Sequence, residues 1–478
     1  MSSARTIVFP PQGSDVNSSE GNPVTWLGRR TFLRGSVAAA LTASALAGTG
    51  VAAQPAAAAS TGLKVGAGKA AIGIPSSLLP LDTFTVVHDA LYVRILLLEN
   101  GANRVALAVL DLTSISEEAI TQMRAIINKA AGVATKDIVV TVTHTFSAPH
   151  VGPTTGKSAA EVAKANTFLT QILTATTTAI AAAVKGLQPA RVGYGAGKCD
   201  VNVNRNVLTA DGWWLGTGES EPSDKSVGVA RFDDPKGNPI AVLANYDVQS
   251  SVMMESVMAD GGLPITADLA GATVAHVEKQ YGSGVVGFFL VGACGDQAPA
   301  FRSKRYTIDK DKKWSQVDAH DAGWLLLALQ GERLGTEVVR VSETIKATVG
   351  ASAATLRLVT DSVVVNAVTQ GHSEKPTKSY TFTPNGTAKA PIWVLQVGQG
   401  VFAGVEPELS TNTALSIKNH SPFQHTFVMS MLEGGSKNMS EATNYDRITY
   451  QAVDSSYAKG SAETVAAKIG SILRSLRS

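Results

Sequence analysis

The chain has 478 residues, of which 44% are hydrophobic and 17% charged, so it is long and apolar enough to bury the core of one large or two ordinary globular domains. The formal net charge is +2, and this near-balance excludes the strongly basic surface that most nucleic-acid-binding proteins need. We therefore expect no nucleic-acid partner.

Residues 1–59 differ in composition from the rest of the chain. The segment GRRTFLRG resembles a twin-arginine export signal, and the apolar stretch behind it (36–53) follows as the hydrophobic part of such a signal would. A membrane anchor is the alternative, but the Ala, Gly and Thr of this stretch make it weakly apolar for a spanning helix. We therefore expect a twin-arginine signal and propeptide-like segment, cleaved after Ala53 or Ala59 and followed by one folded domain over 60–478.

Export should depend on the paired arginines. Changing Arg29 and Arg30 to Lys keeps the charge but removes the twin-arginine pattern, so the precursor should stay inside the cell. Fractionation and immunoblotting would check this, and secretion at the wild-type level would argue against the route.

The leader carries four Arg against one Asp and one Glu, so the exported domain has balanced charge. It also has no second long apolar segment, so we expect no integral membrane segment in it.

Cysteine usage leaves two alternatives open. Cys199 and Cys294 are the two cysteines of the chain, and an oxidising compartment would permit a disulfide between them. Their spacing specifies no pair, and no CxxC motif is present. A disulfide and two free thiols are both compatible with the sequence.

The first part of the expected domain alternates strands with helices. Ser114 and Glu117 resemble a capping box at the start of a helix that ends at Gly132, and the flanking β-branched and apolar runs predict strands. In chain order, the predicted elements are strands at 63–75, 90–100 and 104–112, a helix at 114–132, a strand at 137–145 and a helix at 158–187.

The second part repeats this alternation and then changes character. Two segments there are typical of an antiparallel hairpin, and the last helix has one apolar stripe. The predicted elements are a strand at 240–248, a helix at 267–281, a strand at 285–293, hairpin segments at 348–369 and 378–388, and a helix at 461–478. Alternating strands and helices predict an α/β fold, with a mixed sheet core flanked by helices.

Three strand ends carry polar residues that a core strand does not need. They are His144 in VTHTFSAPH, the segment NYDVQSS (245–251) and the segment GACGDQAPAF (292–301). Ligand pockets of α/β sheets form where such strands end. These three segments therefore form a candidate pocket.

The same segments resemble the neutral/alkaline non-lysosomal ceramidase family. VGAGKAAIGIP is similar to the family's VGAGKADIT, VTHTFSAPH to its THTHSGPG, NVNRN to its VNRS, and GACGDQAP to its GAAGDVSP, all in the family's order. The resemblance spans 60–478 and implies a ceramidase-like hydrolase domain. The family's C-terminal immunoglobulin-like domain is not expected within this chain.

The resemblance implies a metal site at four positions of this chain. In the family, zinc is held by two histidines, a glutamate and a tyrosine, and these positions fall on His144, Gln249, Glu406 and Asn438. The second histidine of THTH, which approaches substrate, becomes Phe146. Two ligand positions therefore carry amides, which are poor zinc ligands because a neutral oxygen suits Ca²⁺ better. A weakened zinc site, a site for another divalent ion and a metal-free pocket all stay open.

Several further residues are candidates for the site. Asp247 shares a strand face with Gln249, and His150 lies beyond the turn after His144, so each could replace a lost metal ligand. Asp296 is the expected catalytic carboxylate, although binding the amides of its own turn is an equal alternative.

The resemblance adds two substrate-binding candidates and removes a nucleophile. Asn204 and Arg205 keep the family's Asn-Arg pair and would bind substrate together with Phe146, or serve the structure alone. The aromatic loop at Trp213 and Trp214 would form an apolar pocket wall. The family's serine nucleophile becomes Ala298, which excludes an acyl-enzyme at that position.

Two functions are compatible with this pattern. The first is a secreted hydrolase with a diverged active site, in which water activated by a metal or a carboxylate attacks an amide, ester or glycan of lipid or envelope type. The second is a catalytically silent binding protein that keeps the ceramidase-like fold. In both cases the expected partner is a small molecule, lipid or glycan; the oligomeric state stays open.

Overall fold

The structure is a computed structural model that describes residues 62–152, 155–347 and 355–477. The expected leader (1–59) and the start of the first hairpin segment (348–354) lie outside the described residues.

Helices and strands are numbered here in chain order. The strands are β1 (Lys64–Ala71), β2 (Val86–Val87), β3 (Tyr92–Asn100), β4 (Asn103–Leu110), β5 (Ile138–Val142), β6 (Gln188–Pro189), β7 (Arg191–Lys198), β8 (Asn202–Thr209), β9 (Gly212–Gly218), β10 (Ser226–Asp233), β11 (Pro239–Tyr246), β12 (Pro264–Ile265), β13 (Val286–Val291), β14 (Gln297–Pro299), β15 (Lys304–Ile308), β16 (Trp314–Asp318), β17 (Leu356–Val368), β18 (Pro384–Val397), β19 (Gly400–Val405), β20 (Pro407–Leu409), β21 (His425–Met429) and β22 (Ser436–Met439). The helices are α1 (Glu117–Ala131), α2 (Ala159–Lys185), α3 (Asp268–Tyr281), α4 (Gly323–Thr344), α5 (Thr411–Asn419), α6 (Ala442–Arg447), α7 (Tyr450–Val453) and α8 (Ser461–Arg477).

Two mixed sheets lie at the centre of the fold. One has the strand order β5-β4-β3-β1-β6 and the other β13-β11-β10-β7, and each combines one parallel pair with antiparallel pairs. Side chains alternate across β3: Leu96 and Leu98 face the second sheet through a shared apolar cluster, whereas Ile95 and Leu97 face the helices. Helices α1 and α2 cover the first sheet, and α3 and α4 cover the second. The expected α/β class with a mixed core flanked by helices is confirmed.

A third sheet, in the order β17-β18-β19-β21, packs against the same apolar cluster. Its long antiparallel pair β17–β18 confirms the predicted hairpin. The short pair β20–β22 continues from it and positions part of the site described below. Strands β14, β8 and β9 form a further small sheet.

The two helices on the first sheet differ in how well the sequence predicted their starts. Helix α2 begins after Ser158, where its predicted span starts, and Ser158 and Glu161 form a capping box that the sequence analysis did not identify. Helix α1 instead begins after Ser116, whose hydroxyl accepts from the amide of Ala119, so Ser114 is not its cap. Helix α2 is long and apolar enough to cross a membrane by length and composition alone, but its apolar face is used in packing on β1.

Close approach of α2 to β1 depends on glycine. A Cβ added at Gly68 would lie 2.1 Å from the carbonyl oxygen of Ala179 in α2, and backbone of a helix cannot move aside cheaply. Gly68→Ala should therefore lower the free energy of unfolding by about 1–3 kcal/mol, the usual cost of overpacking. The matched control is Gly284→Ala, because nothing lies within 4 Å of the new methyl group; it should be neutral or slightly stabilising. Denaturant unfolding of both variants would check this, and equal stabilities would contradict the packing argument.

Candidate functional site

Strand ends from all three large sheets converge on one open cavity of about 610 Å³. Its wall is built mainly from charged, polar and aromatic side chains, with a few aliphatic and methionine side chains among them. The lining residues used below are His144, Phe146, His150, Arg205, Trp214, Gln249, Glu255, Arg302, Lys304, Tyr306, Glu374, Glu408, Lys437, Asn438, Tyr450 and Asp454. The cavity confirms the expected gathering of polar residues at strand ends.

His144 follows β5 and lies buried at the cavity floor. Its backbone has a φ of 54°, in the left-handed region that a non-glycine residue rarely adopts. Its Nδ1 lies 2.8 Å from the carbonyl oxygen of Thr113. Since a carbonyl oxygen only accepts, Nδ1 carries a proton, and Nε2 is the ring nitrogen that faces Glu408 across the cavity floor. Nε2 has no hydrogen-bond partner among the described residues.

The carboxylate beside His144 belongs to Glu408 and not to Glu406. Oε1 of Glu408 lies 3.3 Å from His144 Nε2, whereas Glu406 does not line the cavity. Residue 406 lies in the break between β19 and β20, and the pairing of β20 with β22 shifts register at Pro407 and Glu408. The expected pairing of His144 with Glu406 is therefore wrong by two residues, because the break turns the second carboxylate of VEPEL into the site.

Glu408 stays ionised despite its burial. Burial raises its pKa, but a positive charge at His144, the charge of Arg205 and the hydrogen bond from Gln249 outweigh that effect and hold the pKa at about 2. At neutral pH it is a fixed negative charge. The 3.3 Å between this carboxylate and His144 Nε2 suits either a proton on Nε2 or a metal ion bound to both side chains.

Gln249 supports Glu408 but does not offer its oxygen to the cluster. Its Nε2 donates to Oε2 of Glu408 over 2.6 Å, and its Oε1 accepts from Nη1 of Arg205 over 3.3 Å. A carboxylate only accepts and a guanidinium only donates, so these two neighbours fix the orientation of the amide. Gln249 was expected as a metal ligand; it instead links the cation of Arg205 to the carboxylate of Glu408.

Cys294 completes a cluster that the sequence did not predict. Its thiol is fully buried after β13 and lies 3.6 Å from Oε2 of Glu408. Ligand atoms of His144, Cys294 and Glu408 all lie within 4.8 Å of one another. The signal in the sequence was the position of Cys294 itself, next to Gly295 and Asp296 at a strand end. Cys199 and Cys294 are both free thiols in the structure.

Asn438 lies next to Glu408 on the neighbouring strand. The two residues are register partners in the parallel pair β20–β22, and Nδ2 of Asn438 lies 3.4 Å from Asp454. Its Oδ1 is buried without a hydrogen-bond partner among the described residues. Asn438 therefore presents a neutral oxygen that is free for a further contact, in line with its expected place in the site.

These donors fit a zinc ion, which the resemblance implied. Tetrahedral bonds of about 2.0–2.1 Å place an imidazole nitrogen and a carboxylate oxygen about 3.3–3.4 Å apart, and His144 and Glu408 show 3.3 Å. The Nδ1 bond of His144 to a carbonyl is the outer support that metal-bound histidines usually have. The unpartnered Nε2 and the thiol of Cys294 supply softer donors than the oxygen set that Ca²⁺ prefers.

Asp296 points away from the cavity. It accepts hydrogen bonds from the backbone amide and hydroxyl of Thr411 at the start of α5, and it lies 3.3 Å from Nδ2 of Asn204. Burial raises its pKa to about 6. Asp296 and Asn204 therefore join α5 to β8, and neither lines the cavity. This geometry therefore does not support the expected catalytic role of Asp296. It does not support a substrate contact of Asn204 either.

Asp247 and His150 do not replace the lost ligands. Asp247 is buried against the ammonium of Lys418, at 3.3 Å, and accepts from the amide of Ala293. It occupies the strand face behind the site and does not line the cavity. His150 lies exposed at the cavity rim, with its Nδ1 2.6 Å from Asp82.

The aromatic residues form one side of the cavity. Phe146 lines it beside His144, with ring centroids 4.4 Å apart. Trp214 contacts Tyr450 and Tyr306 edge-on, so the expected apolar wall is formed by one tryptophan of the pair. Ala298 is buried and absent from the lining of this cavity, so no hydroxyl or thiol takes the place of the nucleophile at that position.

Comparisons with known proteins establish the fold. No protein-family model and no curated protein matches the sequence. A solved structure described as a ceramidase complexed with C2 has a TM-score of 0.65 and 16% identity, over 87% of this chain and 75% of that chain. Neutral ceramidase from Pseudomonas aeruginosa has a TM-score of 0.64 and 17% identity, with the same coverage. The chain has a ceramidase-like fold, as its motifs predicted.

Proposed function

We propose that this protein is an exported, metal-dependent hydrolase that cleaves an amide or ester bond by direct attack of water at the cavity floor. The observation that carries the proposal is the position of His144 Nε2, which makes no hydrogen bond and lies 3.3 Å from an ionised carboxylate oxygen of Glu408. The similarity of the fold to that of ceramidases also supports the proposal.

Three side chains would hold the ion: His144, Glu408 and Cys294. A bound Zn²⁺ would supply Lewis-acid chemistry at the cavity floor. The low pKa of Glu408 makes its carboxylate a poor proton acceptor at neutral pH, so we assign it to binding rather than to general-base catalysis. Gln249 keeps that carboxylate in place.

Other cavity residues would bind and orient the substrate. Phe146, Trp214 and Tyr450 offer apolar surface for an acyl or similar group. Arg205 projects two remaining N–H donors beyond its bonds to Gly295 and Gln249. Since Ala298 carries no nucleophile, no covalent intermediate forms at that position, and water is the attacking group.

A second candidate is a binding protein without catalytic activity. One observation favours it. Gln249, at the family's second ligand position, bonds to Arg205, and Ala298, at the nucleophile position, carries no reactive group. In that case the cavity would bind a lipid or glycan and release it unchanged.

Metal analysis and a substrate panel would separate the two candidates. The mature chain, purified without chelator, should contain about one metal ion per chain and hydrolyse esters or amides such as p-nitrophenyl acetate and N-acyl amines. Chelation should remove the activity, and zinc should restore it. Hydrolysis of a short-chain ceramide should be slower by about 10⁴- to 10⁶-fold than in enzymes with a nucleophile. Folded protein with neither metal nor hydrolysis would favour the binding protein.

A further inference from the structure

Two arginines line the cavity without a carboxylate partner. The side chain of Arg205 is buried and that of Arg302 is half-buried. No carboxylate of the described residues lies within 4.0 Å of either guanidinium. Buried arginines are ordinarily paired, since a guanidinium removed from water needs compensation.

The protein contacts of Arg302 leave much of its guanidinium free. Nε donates to the carbonyl oxygen of Ser251 over 3.3 Å, and Nη2 contacts the sulfur of Met254 at 3.2 Å. A thioether is a weak acceptor, and Nη1 donates no hydrogen bond to any described residue. Arg302 lines the cavity, and its unbonded N–H groups are left for a further acceptor such as a planar oxyanion.

The two positive charges also oppose each other. Burial, and after it the charge of Arg205, lowers the pKa of Arg302. Glu255, which also lines the cavity, forms an ion pair with Lys304 at 3.1 Å. Asp454 lies 3.8 Å from Lys437, and Glu374 is exposed at the rim. Glu408 is linked to Arg205 only through Gln249 and belongs to the metal-ligand cluster. None of these acidic residues therefore pairs directly with either guanidinium.

The arginine pair lies close to the reaction centre of the proposed hydrolase. Arg205 reaches Glu408 through a single side chain, since Gln249 bonds to both. Arg205 also lies over the ring of Tyr450, with 5.6 Å from the guanidinium carbon to the ring centroid, which keeps the fork in one orientation. A group bound between Arg205 and Arg302 would lie beside the cavity floor.

From these contacts we propose that Arg205 and Arg302 form an oxyanion subsite, and that the substrate carries a carboxylate or phosphate group next to the bond that is cleaved. An N-acylated amino acid and a phosphorylated amide or ester both have this chemistry. The inference rests on the proposed function for the nature of the cleaved bond, while the subsite itself is a matter of binding. It distinguishes this cavity from one built for a neutral amide.

Binding of small oxyanions would test the subsite. Calorimetry with the exported chain would use N-acetylglycine, inorganic phosphate and the neutral analogue N-acetylethanolamine. We expect one or both anions to bind and the neutral analogue not to. Arg302→Met should weaken anion binding by about 10- to 100-fold, the range of charge-assisted hydrogen bonds, and Arg302→Lys should weaken it less. Arg305→Met, at an exposed position on the adjoining β15, should leave binding unchanged.

Two results would overturn the proposal: no binding of either anion by the folded wild-type chain, or equal anion binding by wild type and Arg302→Met. The Arg302→Lys variant keeps the charge, so it serves if the Met variant does not fold by circular dichroism. Preference for N-acetylglycine or for phosphate would identify the source of the anionic group. Hydrolysis plays no part in the measurement, so anion binding by an inactive chain would support the subsite and argue against the hydrolase.

Discussion

Replacing Glu408 with Gln should abolish stoichiometric zinc binding, and replacing Glu406 with Gln should leave it intact. Glu408 supplies the charged oxygen that lies 3.3 Å from His144 Nε2, whereas Glu406 is outside the cavity lining. A neutral amide removes the charge that holds a divalent ion at the lone pair of His144. Changes in the outer shell of metal sites cost about 10- to 100-fold in affinity, so loss of a direct ligand should cost more than about 100-fold.

Competition with a chromophoric chelator would measure the zinc Kd of both variants and of wild type. Gln249→Leu gives a graded third point, because it removes the hydrogen bonds to Glu408 and from Arg205 but no expected ligand atom, so its effect should fall within the outer-shell range. Thermal unfolding of the metal-free proteins would control for misfolding. A Glu406→Gln variant that loses zinc as completely as Glu408→Gln would refute the placement of the site.

The difference between positions 406 and 408 shows what the sequence could and could not predict. The motif VEPEL contains two carboxylates, and alignment of short motifs gave no means to choose between them. The choice depends on where β19 ends and on the register shift of β20 against β22, which are set by packing with a strand 29 or more residues away along the chain. The strand end and its approach to His144 were predictable, but the residue was not.

Predictions from local patterning did better than those from single residues. The span of α2 and the hairpin β17–β18 were correct because each depends on a strong periodic pattern in the local sequence. Asp296 failed because its partners, Thr411 and Asn204, come from distant segments. Helix α4 was not predicted. Its sequence contains glycines that pack closely on α3, such as Gly331 against Ala272, and glycine lowers helix propensity and interrupts the apolar periodicity that predicts a helix.

The gain of Cys294 compensates, in our interpretation, for the imidazole absent at Gln249. Within the described cluster, the thiol is the one sulfur donor, since His144 supplies a nitrogen and Glu408 an oxygen. Burial, and then the charge of Glu408, raises the pKa of the thiol well above its usual range. Only a bound cation would make the thiolate favourable there.

Cys294→Ser should therefore remove the thiolate signature of the metal site. Cobalt in place of zinc absorbs strongly in the near ultraviolet when a thiolate is bound, and weakly when the ligands are nitrogen and oxygen alone. We expect the strong band in wild type and in Cys199→Ser, since Cys199 is buried outside the cluster, and its loss in Cys294→Ser. Serine is nearly isosteric with cysteine, but its hydroxyl is a harder and far less acidic ligand, so zinc affinity should fall by about 10-fold or more. A strong band that persists in Cys294→Ser would exclude the thiol from the site, and a band lost in Cys199→Ser would place the metal elsewhere.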